Sequence, residues 1–245
     1  MHIILVGASH GWRLFQALKR VPGYGITFKV TCLCVRGARF ADLFWPQTVQ
    51  KDDFLVVIPF GNDLHIRRFV KYDRFLEVFH LEKFVPYPKS YWDFLFSRLH
   101  EKLSDKNCKI TVIDNFYRHL CCEKHRHKGW LTYQTTVNKE LRTQFKDTSV
   151  YILDHRLLFD NPRLIKNSAL EYRKLQSDAV HFEDYLPIAK NLLKMLQVFL
   201  QTSHRTSLCE IPGSFVGEKV KTHSPQNAGR QCNFRSDPHF HPGLH

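Results

Sequence analysis

The chain has 245 residues, 43% of them hydrophobic, a formal net charge of +13 and a pI near 9.5. This length and composition suffice for one domain with a full core, and they exclude a chain that is disordered throughout. The seven cysteines are odd in number and form no CxxC pair, so the sequence indicates neither a disulfide framework nor a standard zinc ribbon. The basic residues are spread along the chain, so the charge allows an acidic partner such as nucleic acid without identifying one.

The start of the chain lacks the charged region and the length of a signal peptide. No apolar run reaches the roughly eighteen residues that a membrane-spanning helix needs. We therefore expect a reduced, intracellular and cytoplasmic protein without a transmembrane segment.

The first element is an apolar run at residues 3–6, which predicts a buried strand. It stops at Gly7-Ala8-Ser9-His10, and residues 11–18 then have helical spacing, which predicts a strand, a tight turn and a helix. Ser9 has two interpretations at this turn. It is a good N-cap for the helix, or it is an exposed nucleophile beside the free N–H groups of a helix start.

The next two predicted strands also end in polar or small residues. Residues 26–35 form the second strand, which is followed by Gly37. This residue is either an ordinary loop glycine or one that allows close backbone approach or a positive φ. Residues 54–60 form an unbroken apolar strand, as expected for a central position in a parallel sheet. Asn62 stands just past its carboxyl end, the edge where ligands bind in open α/β sheets.

Two patches of interleaved basic and aromatic residues follow, at 67–72 and 83–89. Such patches could bind nucleic acid by stacking and charge neutralisation. The alternative, which we favour, is a surface helix or loop whose aromatic side chains pack on the body of the protein. Residues 91–103 then have the apolar spacing of a helix.

The rest of the chain continues to alternate between strands and helices. We predict strands at 109–113 and 150–153, a helix at 132–145 and a final amphipathic helix from Leu186. This alternation predicts a three-layer α/β/α fold with a parallel, flavodoxin-like five-stranded sheet. The composition changes near Gln201, so we expect a folded domain at 1–202 and a disordered tail at 203–245.

A histidine- and cysteine-rich segment at 119–127 lies between the fourth predicted strand and the following helix. Its spacing matches no standard zinc site, and it falls in what we expect to be a connecting loop. We therefore predict no metal site there.

Residues from distant parts of the chain together satisfy the needs of a serine nucleophile. A hydroxyl such as that of Ser9 needs a base and a group that orients the base, and His181 and Asp178 offer both from one loop. The N–H groups of Ser9 and Gly37 and the side-chain amide of Asn62 could form an oxyanion hole. The carboxyl ends of parallel strands meet at one edge, which would bring these groups together.

In this order, the residues resemble the blocks of the SGNH hydrolases, also called the GDSL esterase and lipase family. Gly7-Ala8-Ser9 is similar to the Gly-Asp-Ser block, Gly37 to the second-block glycine, Phe60-Gly61-Asn62-Asp63 to the Gly-x-Asn-Asp block and Asp178-Ala179-Val180-His181 to the Asp-x-x-His block. The resemblance covers residues 3–200. It implies the SGNH fold and a serine esterase that cleaves an ester or acetyl group without metal or cofactor. In it Ser9 is the nucleophile, His181 the base, Asp178 its orienting partner, and Ser9, Gly37 and Asn62 form the oxyanion hole.

Two positions depart from the family pattern. Ala8 replaces an aspartate, which would perturb the loop more than the chemistry. Phe60 replaces a glycine, and a bulky side chain there would narrow the site or displace Asn62. A lost oxyanion donor lowers the rate by ~10²–10³. A second hypothesis is therefore a catalytically inactive SGNH-like binding or assembly module.

A weaker similarity, to esterase-like domains in retrotransposon proteins, includes the stretch Asn138-Lys139-Glu140-Leu141. It would give the positive charge RNA or DNA as a partner and would make this chain a piece or a descendant of a longer polyprotein-like product. In a third hypothesis, Ser9, Asn62 and His181 are only a cap, a turn residue and a surface histidine. The order of the four blocks argues against that.

Overall fold

The computed structural model describes residues 1–73, 78–118, 124–159, 175 and 180–206. Within them, the chain forms a parallel sheet, an antiparallel hairpin and four helices. The strands are β1 (His2–Gly7), β2 (Lys29–Cys34), β3 (Phe54–Ile58), β4 (His65–Asp73), β5 (Val78–Pro86), β6 (Lys109–Ile113) and β7 (Tyr151–Leu153). The helices are α1 (Ser9–Leu18), α2 (Lys89–Leu103), α3 (Lys124–Gln144) and α4 (Leu186–Thr206).

The main sheet has five parallel strands in the order β2-β1-β3-β6-β7. This confirms the predicted three-layer α/β fold with its flavodoxin-like strand order. All five residues of β3 are buried, as the unbroken apolar run predicted for a central strand. Gly7 pairs with Cys34 on one side and Ile58 on the other, so the three strands end side by side.

Each face of the sheet buries its own core, because successive residues of a strand point to opposite faces. Ile3, Leu5 and Val56 face α1 and α4, while Ile4, Val6 and Val57 face α2 and α3. These two apolar layers hold the helices on both sides. The loops at the carboxyl edge of the sheet are thereby fixed to a rigid body.

The two basic-aromatic patches lie in a hairpin, which the sequence did not predict. Strands β4 and β5 pair antiparallel, with Ile66 opposite Val85 and Tyr72 opposite Phe79. The expectation of a surface helix or loop at 67–72 and 83–89 was therefore wrong, except that the second patch runs into the turn before α2. Aromatic and β-branched residues on both arms favour a strand ladder, and that tendency prevails here.

Several sequence boundaries also differ from the structure. Helix α3 begins at Lys124, so His125 and His127 are helical and do not lie in a connecting loop, while residues 119–123 lie outside the described residues. Helix α4 continues to Thr206, and the predicted tail lies outside the described residues from 207 onwards. The division at 202 stays a prediction. Among the helices the structure describes, none combines the length and apolarity of a membrane span.

Candidate active site

Ser9 is the first residue of α1, and its hydroxyl contacts His181, which lies 172 positions later in the sequence. The N-cap of α1 is Ala8, and no side chain caps the helix. The Ser9 Oγ lies 2.9 Å from His181 Nε2. The interpretation of Ser9 as the helix N-cap is therefore wrong, because its hydroxyl lies at hydrogen-bond distance from the imidazole and does not cap the helix.

The backbone N–H of Ser9 makes no hydrogen bond within the helix. The first intrahelical bond at this end runs from the Trp12 N–H to the Ala8 carbonyl, 3.0 Å away. The N–H groups before Trp12 have no acceptor inside the helix, and they carry the positive end of its dipole. Negative charge that develops beside Ser9 would be stabilised there.

The residue that follows His181 is fixed in the core. Phe182 is buried, and its ring packs edge-on against Phe116, Phe159 and Tyr185, with centroids 5.4, 5.0 and 5.5 Å away. His181 itself is half-buried. Asp178, the predicted orienting carboxylate, lies outside the described residues, so its role stays a prediction.

His10 is buried, and its ring lies next to that of His181. Its ring stacks on Phe116 at 4.8 Å and lies 5.3 Å from the His181 ring. Its Nδ1 lies 2.6 Å from the Tyr185 hydroxyl. Burial lowers the pKa of His10 well below its ordinary value of 6.5, and the charge of Arg118 acts in the same direction. A neutral His10 adds no positive charge beside His181.

The loops after β2 and β3 are tied together by the two polar residues of the Gly-Asn-Asp block. Asn62 Nδ2 donates to the Ala38 carbonyl at 2.9 Å, and Asp63 Oδ2 accepts the Phe40 N–H at 2.9 Å. The Tyr91 hydroxyl donates to the other Asp63 oxygen at 3.2 Å. Burial raises the pKa of Asp63, while these two bonds act to lower it. The Asn62 amide is thus held against the loop that carries Gly37.

Gly37 has φ +77°, the left-handed region that favours glycine. It is exposed, and an added Cβ would meet nothing within 4 Å. Glycine is therefore required there by the backbone conformation, not by lack of space. The role of its N–H as an oxyanion donor stays a prediction.

Phe60 does not obstruct the site. Its side chain is fully buried, and its ring packs on Phe40, Trp92 and Phe96 with centroids 5.4, 5.8 and 5.6 Å away. These contacts place the ring in the core on the α2 side of the sheet. The expectation that Phe60 narrows the site was wrong, because the fully buried side chain points into this aromatic cluster. A shift of Asn62 by Phe60 stays a prediction.

Arg118 is a site residue that the sequence analysis missed. Its side chain is 1% exposed, and Nη1 donates to Asn62 Oδ1 at 3.1 Å. Its backbone is bound on both sides by Gln134 of α3, which accepts the Arg118 N–H at 2.9 Å and donates to the Arg118 carbonyl at 3.1 Å. Arg118 follows the carboxyl end of β6, and the reasoning that selected Asn62 after β3 could have selected it too.

A second buried polar cluster lies at the ends of β6 and β7, where Asp114, Asp154 and His155 have the spacing of a metal site. Asp114 accepts bonds from the His155 ring and from Arg142. Arg142 also lies 3.5 Å from Asp154. The guanidinium supplies the positive charge that these carboxylates would otherwise draw from a cation, so we interpret the cluster as structural.

No family model matches the sequence, and no curated protein matches it. Among solved structures, one similar fold is that of a lipase/acylhydrolase from Enterococcus faecalis, at 14% identity and a TM-score of 0.45, covering 81% of this chain and 96% of that one. Another is protein YXIM from Bacillus subtilis, at 12% identity and a TM-score of 0.43, covering 86% of this chain and 58% of that one.

Proposed function

We propose that the protein is a serine esterase of the SGNH type, which cleaves an ester or acetyl group through an acyl-serine intermediate. The observation that carries the proposal is the 2.9 Å approach of Ser9 Oγ to His181 Nε2 at the carboxyl edge of a parallel sheet. The two residues are separated by 172 positions, and their hydroxyl and imidazole lie within the hydrogen-bond distance at which a general base acts.

The mechanism uses side chains of this protein and one water molecule. His181 Nε2 takes the Ser9 proton as Oγ attacks the carbonyl carbon, and the imidazolium then gives that proton to the leaving alcohol. Water, deprotonated by His181, attacks the acyl-serine, and the acid leaves as Ser9 recovers its proton. Asp178 would hold the imidazole tautomer through Nδ1.

The developing oxyanion would be met by N–H donors from three loops. Ser9 contributes the N–H at the start of α1, which the helix does not use. Asn62 Nδ2 has two protons, of which one is bound to Ala38, leaving the second for the oxyanion. Gly37 would add its backbone N–H.

Hydrolysis of short-chain p-nitrophenyl esters tests the proposal. Wild-type protein is compared with Ser9→Ala and His181→Ala, and with Ser97→Ala and His100→Ala, which change exposed residues of α2. We expect the two site variants to lose at least ~10³-fold in kcat and the two controls to keep wild-type rates. Equal hydrolysis in all five proteins would reject the esterase and favour an inactive binding module.

A further inference from the structure

The buried guanidinium of Arg118 lies directly behind the loop that carries Asn62. A Cβ added at Gly61 would come 3.0 Å from Arg118 Nη2 and 3.8 Å from the Ala8 Cβ. Gly61 and Ala8 therefore border the same space as the guanidinium. The residue at position 8 is alanine, where the SGNH pattern has aspartate.

The hydrogen bonds of Asn62 allow only one orientation of its side-chain amide. A guanidinium can only donate, and a carbonyl can only accept. Because Arg118 donates to one end of the amide and Ala38 accepts from the other, Oδ1 must face Arg118 and Nδ2 must face Ala38. A flipped amide would place N–H against N–H and oxygen against oxygen.

Arg118 is itself held by α3. Gln134 is buried and binds both the N–H and the carbonyl of Arg118. One turn along the helix, Asn138 binds Asn115 in the same way, accepting its N–H at 3.0 Å and donating to its carbonyl at 2.8 Å. The loop after β6 is thus a rigid support for the guanidinium.

We propose that Arg118 is a positioning residue, which fixes the Asn62 amide so that its Nδ2 protons serve the oxyanion. This inference rests on the proposed esterase function. Arg118 is expected to act on the rate mainly through Asn62, so most of its effect on kcat should be lost when the Asn62 amide is absent. A purely structural arginine would change stability, and the effect of its removal on kcat would be the same with and without the Asn62 amide.

A double-mutant cycle in ester hydrolysis tests this relation. Asn62→Ala should lower kcat by about 10²–10³-fold, the usual effect of one lost oxyanion donor. Arg118→Met should lower kcat by at least about tenfold with little change in KM, and by less than about threefold when Asn62 is already alanine. Arg118→Lys, which keeps a charged donor, should recover part of the rate. Multiplicative losses in the double variant would overturn the proposal.

A readout that does not depend on catalysis separates this inference from the esterase proposal. The side-chain amide pair of Asn62 is assigned in ¹⁵N-labelled protein by its loss in Asn62→Ala. Its resonances should move in Arg118→Met but not in Arg98→Met, which removes an exposed arginine of α2. Unchanged Asn62 resonances in a folded Arg118→Met protein would overturn the inference. Hydrolysis that does not depend on Ser9 would instead reject the esterase, and the resonances would still decide the role of Arg118.

Discussion

Replacing Phe60 with alanine is expected to damage the fold and spare the chemistry. The side chain is fully buried, and three aromatic rings, of Phe40, Trp92 and Phe96, surround it. Loss of a buried phenylalanine costs about 3–5 kcal/mol, including the cavity that it leaves. Each lost ring pair adds ~0.5–1.5 kcal/mol to the interaction beyond burial, so we expect the upper part of that range.

The assay pairs urea unfolding with ester hydrolysis by the protein that remains folded. Phe60→Ala should lower the free energy of unfolding by about 4–5 kcal/mol, while kcat/KM changes by less than about threefold, since the fully buried ring packs in the core beside α2. Phe60→Leu keeps most of the apolar volume and should lose less stability than Phe60→Ala. This variant serves when the alanine protein does not fold.

The opposite pattern would refute this reasoning. If Phe60 narrowed the substrate site, Phe60→Ala would leave stability nearly unchanged and would raise kcat/KM for bulky esters. Such a result would place the ring in the site and not in the core.

Two further predictions concern stability. Burial keeps His10 neutral in the folded state, whereas the unfolded chain takes up the proton below about pH 6.5. The free energy of unfolding should therefore fall as the pH drops below about 6.5, with a slope of up to ~1.4 kcal/mol per pH unit. Urea unfolding between pH 8 and pH 5 should show this dependence weakened in His10→Phe, and equal slopes in the two proteins would contradict it. Gly7→Ala would place a Cβ 3.1 Å from the Ile58 carbonyl oxygen and 3.2 Å from the Ile58 Cβ, on the adjacent strand. We expect the free energy of unfolding, measured by thermal unfolding, to fall by about 1–3 kcal/mol. Wild-type stability in this variant would show that the two strands move apart without cost.

The main sheet could be predicted from the sequence because its signals are local. The apolar runs at 3–6 and 54–60 are long enough to identify buried strands, and small or polar residues end each run. The second of these strands ends two residues earlier than predicted, at Ile58. Alternation with helices then fixes the parallel order. Ser9 and His181 could be placed at one edge because that order brings strand ends together.

The parts that could not be predicted depend on contacts between distant residues. The bond from Arg118 to Asn62 spans 56 positions. The bond between Arg118 and Gln134 joins a loop to a helix, and no repeating pattern in the sequence indicates that contact. Phe60 was misjudged for the same reason, because its direction is decided by Phe40 and Trp92 packing around it. The hairpin was missed since its aromatic and basic residues fit a strand as well as a surface helix.

The most direct test of the central claim is covalent labelling of the protein with a fluorophosphonate, followed by peptide mass spectrometry. An activated serine attacks phosphorus and displaces fluoride, so the account predicts one phosphonyl adduct on the peptide that carries Ser9 in wild-type protein. Labelling should be lost in Ser9→Ala and slowed strongly in His181→Ala, because the proposed base, His181 Nε2, lies 2.9 Å from Ser9 Oγ. Wild-type protein that stays unlabelled at Ser9, or that labels equally in His181→Ala, would contradict the account.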